Sequence, residues 1–239
     1  MSEFLHRGDG KKKLVQKMFD DISSHYDFLN HFLSLGIDKY WRRKFLKLLP
    51  FSKTTKVLDV ATGTGDISFA IRKKFECPII GLDYSNNMLN IARSKAEKMN
   101  TSDIKFIQGD AEALPFDDNS FDIITISYGF RNLGNFKNAL NEFHRVLKPN
   151  GTLGILEFSK SKYKIFSICF NIYFHYILPF IGKLISGSNA YKYLPESVVE
   201  FASRDELLKL MKKTNFQKCY MSDLTFGITT IFIGKKDNE

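Results

Sequence analysis

Residues 57–66, VLDVATGTGD, join a short apolar run to an aspartate and a glycine-rich turn. Gly63 and Gly65 would let the main chain approach a ligand closely, because glycine has no side chain. A dinucleotide-binding turn has the pattern G-x-G-x-x-G, but Ser68 stands where the third glycine would be. No Lys-Ser/Thr pair follows, which excludes a P-loop, and Asp66 is poorly placed for a phosphate at a helix N-terminus. The turn therefore indicates a ligand without a pyrophosphate.

Further carboxylates indicate the kind of ligand. Asp83 ends the next apolar run, about 20 residues after the turn, where a carboxylate can accept hydrogen bonds from ribose hydroxyls. Asp59 adds negative charge that suits a cationic group. Asp110 and Ala111, in GDAEALPF, would lie at an adenine edge, with the acid accepting from the exocyclic amine. We therefore predict S-adenosylmethionine as the cofactor; alternatively, the glycines only permit the turn and the acids only cap or bridge.

Strand-like and helical patterns alternate around these residues. Helical spacing fills most of residues 14–49, and no strand pattern precedes residue 56. The remaining pattern predicts strands at 56–61, 78–83, 104–108, 121–128 and 151–159, and helices at 66–75, 85–99, 136–147 and 203–214. Two further strand-like runs surround Phe226–Gly227. We predict an α/β fold: a doubly wound, mostly parallel, Rossmann-like sheet with a C-terminal antiparallel edge hairpin and N-terminal helices.

The same reading divides the chain into parts. Residues 1–50 are expected to form a helical cap and residues 51–239 the cofactor-binding domain, with an apolar insertion at 160–200 forming a substrate lid. Within the insertion, residues 163–187 are interrupted by Asn171, His175 and Pro179. The uninterrupted stretch is shorter than the roughly 20 apolar residues that span a bilayer. We interpret it as a buried or interfacial helix.

Composition limits the class of protein. With 44% hydrophobic residues the chain can bury a substantial core, which argues against disorder. Three dispersed cysteines argue against a disulfide framework or a zinc site, and we predict no metal. The first residues lack the apolar core of a signal peptide, so we expect a cytoplasmic protein. The net charge of +9 indicates either a lysine-rich solvated surface or attraction to an anionic surface.

Several longer motifs carry a resemblance to a known family. These are MFDDISSHYD, LSLGIDKYWRR, VLDVATGTGDIS, GLDYSNNML, DAEALPF, SYGFRN, RVLKPNG and YKYLPESVVEF. On them, the chain resembles the ubiquinone/menaquinone biosynthesis C-methyltransferases, a branch of the class I S-adenosylmethionine-dependent methyltransferases. The resemblance spans nearly the whole chain, and SYGFRN and the N-terminal runs are its most specific motifs. Asn150 departs from the family's usual KPGG, but asparagine tolerates left-handed backbone, so we expect the turn to be kept.

The resemblance implies a class I methyltransferase fold and cofactor contacts at Thr64, Asp83, Asp110, Ala111 and Ser127. It also implies a polyprenyl hydroquinone acceptor, either a naphthoquinol or a benzoquinol, methylated on a ring carbon. Such an acceptor has a lipid tail, so the partner could include the cytoplasmic face of the inner membrane, with the protein bound peripherally. A homo-oligomer stays open, and no nucleic-acid partner is expected.

Methylation of a ring carbon requires positioning, exclusion of water and removal of a phenolic proton. Arg131 is the leading catalytic candidate, because a fixed cation would stabilise a developing phenolate. Its alternative role is a salt bridge that pins its loop. Asn132 follows it, and Tyr26 could bond a quinol oxygen or could simply belong to the core. Glu157 is a candidate polar wall of the cleft.

Other functions stay open at this point. The same cofactor could serve a sterol, a small phenol or another lipid, although SYGFRN and the N-terminal runs disfavour this. The chain could also bind S-adenosylmethionine without catalysis, as a membrane-associated assembly partner. Nucleic-acid methylation is the weakest alternative, because the sequence has no N/D-P-P-Y run and no appended basic domain.

Overall fold

The computed structural model describes residues 9–23, 34, 36–161, 197–198 and 201–238. Its helices are α1 (Asp9–Ile22), α2 (Ile37–Lys47), α3 (Asp66–Phe75), α4 (Asn86–Lys98), α5 (Phe136–Val146) and α6 (Arg204–Lys213). Its strands are β1 (Val57–Val60), β2 (Ile79–Asp83), β3 (Lys105–Gln108), β4 (Phe121–Ser127), β5 (Leu147–Phe158), β6 (Gln217–Leu224) and β7 (Thr229–Lys235). Short 3-10 helices lie at Phe130–Asn132 and Thr225–Gly227.

The strands form one seven-stranded sheet in the order β3-β2-β1-β4-β5-β7-β6. Strands β1 to β5 pair in parallel, whereas β7 is antiparallel to both β5 and β6. The predicted fold class is therefore confirmed, with β7 inserted between β5 and the edge strand β6. The strand order reverses between β1 and β4, and open α/β sheets bind ligands at such a switch point.

Local signals in the sequence set the helix starts. The Ser85 hydroxyl accepts a hydrogen bond from the Met88 N–H at the start of α4. At α6, Ser203 and Glu206 form a capping box in which each side chain bonds the other residue's backbone N–H. A serine directly before a helical run and the pattern S-x-x-E both predict such caps from the sequence, and both caps are confirmed. Each satisfies N–H groups that have no partner within the helix.

Apolar side chains cover both faces of the sheet. One cluster joins α5 and α6 to the sheet and includes the fully buried Phe143, Phe216 and Phe232. The other joins α2, α3 and α4 to the opposite face through Phe45 and Leu89, among others. These two apolar layers hold β1 to β4 in place. The loops that carry the predicted site residues leave from the carboxyl ends of these strands.

The junction between α5 and β5 differs from its predicted position. The helix ends at Val146, and β5 begins at Leu147 rather than at residue 151, because Leu147 already pairs with Phe121. The register shifts after this pair. Asn150 within this stretch has φ of 63°, so it takes the left-handed conformation expected of it.

This conformation predicts opposite effects for the same substitution at two exposed asparagines. Asn150→Ala should lower the free energy of unfolding by about 1 kcal/mol, because left-handed backbone penalises a Cβ. Asn141→Ala, in the middle of α5, should raise it by a few tenths of a kcal/mol, because alanine has the higher helix propensity. Urea unfolding of both variants measures the difference. Equal effects would contradict the left-handed assignment at Asn150.

Candidate active site

A cavity lies at the carboxyl ends of β1 to β4, beneath α1. Four groups of residues line it: the glycine turn, the loops after β2 and β3, the loop after β4, and one face of α1. Six predicted site residues lie in its wall: Gly63, Asp83, Asp110, Ala111, Ser127 and Asn132. The tertiary structure therefore brings together residues that are up to about 70 positions apart in the sequence.

The two glycines of the turn have different roles. Both take left-handed backbone, with φ of 57° at Gly63 and 88° at Gly65. A Cβ at Gly63 would meet no atom within 4 Å, so this backbone faces open space in the cavity. A Cβ at Gly65 would lie 2.7 Å from Cε2 of Phe69, so this glycine permits packing. Gly63 is the position at which the main chain can approach a ligand.

Asp83 holds the turn and faces the cavity. Its Oδ2 accepts from the Gly63 N–H at 2.8 Å, and its Oδ1 accepts from the Ser85 N–H at 2.9 Å. Removal from water raises the pKa of Asp83 to about 6, with a further contribution from the charge of Asp59. An ionised carboxylate here has lone pairs left for two ribose hydroxyls.

Asp59 and Thr64 do not line the cavity, and their assignment to the cofactor site stays a prediction. Asp59 is 1% exposed and accepts hydrogen bonds from Thr62, Ser68 and Thr125 at 2.7 to 2.8 Å. Burial raises the pKa of Asp59, while these hydroxyls oppose the shift. Its carboxylate faces the interior of the turn because these hydroxyls engage it there. Thr64 is 2% exposed, and its hydroxyl accepts from Lys95.

Helix α1 supplies cavity residues that the sequence reading missed. Lys12 lies in the wall, with its Nζ 2.7 Å from Asp110 Oδ2 and 2.8 Å from Glu112 Oε2. Lys11 donates to the carbonyls of Arg131, at 2.8 Å, and Leu133. In the sequence, Lys11–Lys13 contribute to the net positive charge and carry no motif of a ligand site. The helical spacing of the apolar residues that follow them is the signal that could indicate a docked helix.

A third contact completes the attachment of α1. The Ser85 hydroxyl donates to Asp20, and Gln16 lies near the Tyr84 carbonyl. The helix therefore contacts the loops after β2, β3 and β4, and it covers the cavity that these loops line.

Arg131 is buried beneath the loop that follows β4. It is 6% exposed, and its Nη1 lies 2.7 Å from Oε1 of Glu157, which is fully buried. The Arg131 N–H donates to Glu157 Oε2 at 3.1 Å, and the guanidinium also donates to the Tyr128 carbonyl. Its Nε donates to Ser197 Oγ at 3.2 Å. The salt bridge named as its alternative role is thus present, and Arg131 lies behind the cavity wall that Asn132 helps to form.

Ser127 and Tyr128, which precede Arg131 in the sequence, also line the cavity. The Ser127 hydroxyl is buried and finds no hydrogen-bond partner among the described residues. Tyr128 has left-handed backbone, with φ of 58°, and its ring packs 4.6 Å from that of Phe158, centroid to centroid. Burial raises the pKa of Tyr128, which keeps its phenol neutral. Tyr26 lies outside the described residues, so its role stays a prediction.

Solved structures share this architecture at low sequence identity. The [4+2]-cyclase SpnF is 16% identical with a TM-score of 0.73, covering 94% of this chain and 96% of the other. A chain from the complex of the Haloferax volcanii Trm112 methyltransferase activator with a methyltransferase is 19% identical with a TM-score of 0.69, covering 92% and 97%. These likenesses show the fold alone, and the presence of a cyclase among them means that the fold does not fix the reaction.

Sequence relatives are much more similar. The ubiquinone/menaquinone biosynthesis C-methyltransferase UbiE of Geotalea daltonii is 42% identical over 229 residues, covering 95% of this chain and 97% of the relative. The demethylmenaquinone methyltransferase of Deinococcus radiodurans is 44% identical over 230 residues, covering 95% and 94%. The model of the ubiE/COQ5 methyltransferase family matches residues 7–236. The chain therefore belongs to the ubiE/COQ5 methyltransferase family.

Proposed function

We propose that this chain transfers a methyl group from S-adenosylmethionine to a ring carbon of a polyprenyl hydroquinone. The acceptor would be demethylmenaquinol, the 2-polyprenyl-6-methoxy-1,4-benzoquinol precursor of ubiquinone, or both. The observation that carries the proposal is identity above 40% to relatives named for these pathways, along nearly the full length of both chains. The residues in the cavity wall support it independently.

The cavity suits a cationic nucleoside. Gly63 offers open main chain, and Asp83 offers a carboxylate for the ribose hydroxyls. The hydroxyl of Ser127, which has no hydrogen-bond partner among the described residues, offers a donor and an acceptor. Asp110 would accept from the adenine amine, in exchange for part of its contact with Lys12. When bound, S-adenosylmethionine supplies an electrophilic methyl group on a sulfonium sulfur. The acceptor carbon would form its new bond to that methyl group as the bond from the methyl group to sulfur breaks, which would leave S-adenosylhomocysteine, and the same carbon would then lose its proton.

The residues around Tyr128 would orient the acceptor. Asn132 lies in the cavity wall and could bond a hydroquinone oxygen, which favours loss of the phenolic proton, with an ordinary pKa of about 10. Arg131 acts one layer behind, where its bonds to the Tyr128 carbonyl and Ser197 position this wall. Helix α1 excludes water from the cofactor side.

The proposed organisation of the chain follows from the same contacts. Residues 1–50 would act as the cap, which α1 supports by covering the cavity. Residues 160–200 would form the acceptor lid; most of them lie outside the described residues, but Ser161 and Ser197 are each bonded to the body of the domain. In the part of the chain that the structure describes, no helix is long and apolar enough to cross a bilayer.

The test is methyl transfer from labelled S-adenosylmethionine under anaerobic conditions, with reduced demethylmenaquinone and the demethylated ubiquinol precursor supplied separately. Label on the ring of either compound supports the proposal, and label on both means that the site accepts any prenylated hydroquinone of this type. The unprenylated ring and a sterol serve as comparison acceptors. Intact cofactor binding with label on neither quinol would overturn the assignment and leave another acceptor or a non-catalytic role.

A further inference from the structure

The outward face of α2 combines cations with exposed apolar side chains. Its exposed cations are Lys39, Arg43, Lys44 and Lys47, and its exposed apolar residues are Ile37 at 40%, Tyr40 at 47% and, directly after the helix, Leu48 at 40%. The single acid of this helix, Asp38, is buried and paired with Arg42. The inward face is anchored by Trp41 and Phe45. The exposed side of α2 is therefore positively charged and partly apolar, with no acidic residue of its own.

A second exposed aromatic residue lies close to the start of this helix. Phe226 is 53% exposed, and its backbone is left-handed with φ of 56°. The neighbouring Thr225 accepts a hydrogen bond from the Trp41 indole at 2.7 Å, which ties this loop to α2. The loop therefore holds an exposed aromatic side chain beside α2.

The loop that carries Phe226 lies at the edge of the sheet that carries the cavity, and α2 reaches this edge at Trp41, whose ring packs against Phe158. Phe158 at the end of β5 pairs with Thr229 at the start of β7, so the loop with Phe226 leaves at the carboxyl edge of the parallel strands. The Ser161 hydroxyl donates to the Phe226 carbonyl at 2.7 Å, and Lys160 beside it is exposed. The apolar sequence of residues 163–187 follows directly.

We propose that the outer face of α2 and the loop carrying Phe226 form one docking surface for an anionic lipid bilayer. Cations attract the acidic headgroups, and exposed aromatic and aliphatic residues insert at the boundary between headgroups and chains. The purpose of this surface rests on the proposed function. A polyprenyl acceptor resides in the bilayer, and the surface would bring the protein to it. Docking by this edge presents the cavity side of the molecule to the membrane.

Vesicle flotation tests the surface with the full chain. The wild type should bind vesicles of equal parts phosphatidylglycerol and phosphatidylcholine, and it should bind phosphatidylcholine alone weakly. Each cation near an anionic surface contributes roughly fivefold to partitioning, so Arg43→Glu with Lys47→Glu should reduce binding by about 25-fold or more. Phe226→Asn should reduce it several-fold without strain, because asparagine tolerates left-handed backbone.

The matched control is Lys212→Glu with Lys213→Glu, which makes the same charge change at the end of α6. Both lysines are exposed and lie close to Gln217 at the start of β6. Gln217 pairs with Lys235 at the end of β7, and Lys235 pairs with Thr152 of β5. The control site therefore lies at the amino edge of the parallel strands, opposite the cavity. The control should bind vesicles nearly as well as the wild type. Equal losses in both double variants, or equal binding to neutral and acidic vesicles, would overturn the proposal.

Activity separates this inference from the proposed function. Methylation of a short-chain, water-soluble demethylquinol should be unchanged in the α2 and Phe226 variants, whereas methylation of long-chain acceptor in vesicles should fall with binding. Vesicle binding without methylation of any quinol would reject the proposed function alone. Methylation by a wild type that does not bind acidic vesicles would reject the docking surface alone.

Discussion

Arg131→Met is expected to abolish detectable methyl transfer and to lower the free energy of unfolding by about 3–5 kcal/mol. The substitution leaves Glu157, which is fully buried, without its cation, and an unpaired buried charge is strongly destabilising. It also removes the bonds to the Tyr128 carbonyl and Ser197. Urea unfolding and turnover with the best quinol measure the two effects. Arg72→Met, which loses only a partly exposed pair with Asp103, should cost about 1 kcal/mol or less.

The double variant Arg131→Met, Glu157→Gln separates stability from positioning. Stability and affinity for S-adenosylhomocysteine should largely return, because no buried charge is left unpaired. We expect kcat to stay about 100-fold low, since a displacement of the Tyr128–Asn132 wall by about 1 Å has an effect of this size. Recovery of kcat together with stability would mean that Arg131 serves the fold alone. Loss of affinity for S-adenosylhomocysteine in the double variant would mean that Arg131 acts on cofactor binding rather than on the Tyr128–Asn132 wall.

Asp83→Ala is expected to weaken binding of S-adenosylhomocysteine by about 100-fold or more. Two hydrogen bonds from ribose hydroxyls to a charged group would be lost, each contributing about 1.5–3 kcal/mol. The Gly63 N–H, which Asp83 holds, would also lose its acceptor. Calorimetry measures the dissociation constant, and Asp103→Ala, an exposed acid, is the control that should leave it unchanged. An unchanged constant in Asp83→Ala would exclude Asp83 from the cofactor site.

The raised pKa of Asp83 adds a pH dependence to this prediction. Since the pKa is about 6, wild-type affinity should be constant above pH 6 and fall about tenfold per pH unit below it. The Asp83→Ala variant should show no such change. In the free protein the folded-state pKa lies above the ordinary 3.8, so the folded chain holds this proton more tightly. The contribution of Asp83 to stability therefore falls as pH rises from about 4 to 6 and is constant above.

Local patterns in the sequence were enough for the order and type of the elements. Hydrophobic periodicity, the Ser85 cap and the Ser203–Glu206 box are properties of neighbouring residues, and all three appear in the structure. The glycine turn and Asp83 could also be placed at one edge of the sheet, because the carboxyl ends of parallel strands converge there. The start of β5 could not, because it depends on pairing between Leu147 and Phe121, which is a contact across the sheet.

Tertiary structure alone decided whether Asp59 and Asp83 face the protein interior or the cavity. Asp59 and Asp83 look alike in sequence, as acids at the ends of neighbouring strands. Three hydroxyls from separate positions engage Asp59 beneath the turn, whereas Asp83 stays at the cavity wall. Only packing distinguishes a carboxylate that holds the fold from one that can meet a ligand.

The sequence by itself determined the family, the fold class and the position of the glycine turn, because these depend on local spacing and on motifs. The folded chain decided that α1 closes the cavity through Lys11 and Lys12, and that Arg131 is paired with Glu157, 26 positions away. Such contacts join segments whose separation along the chain carries no periodic signal. They form because a buried charge must find a partner of opposite sign wherever the fold brings one within reach.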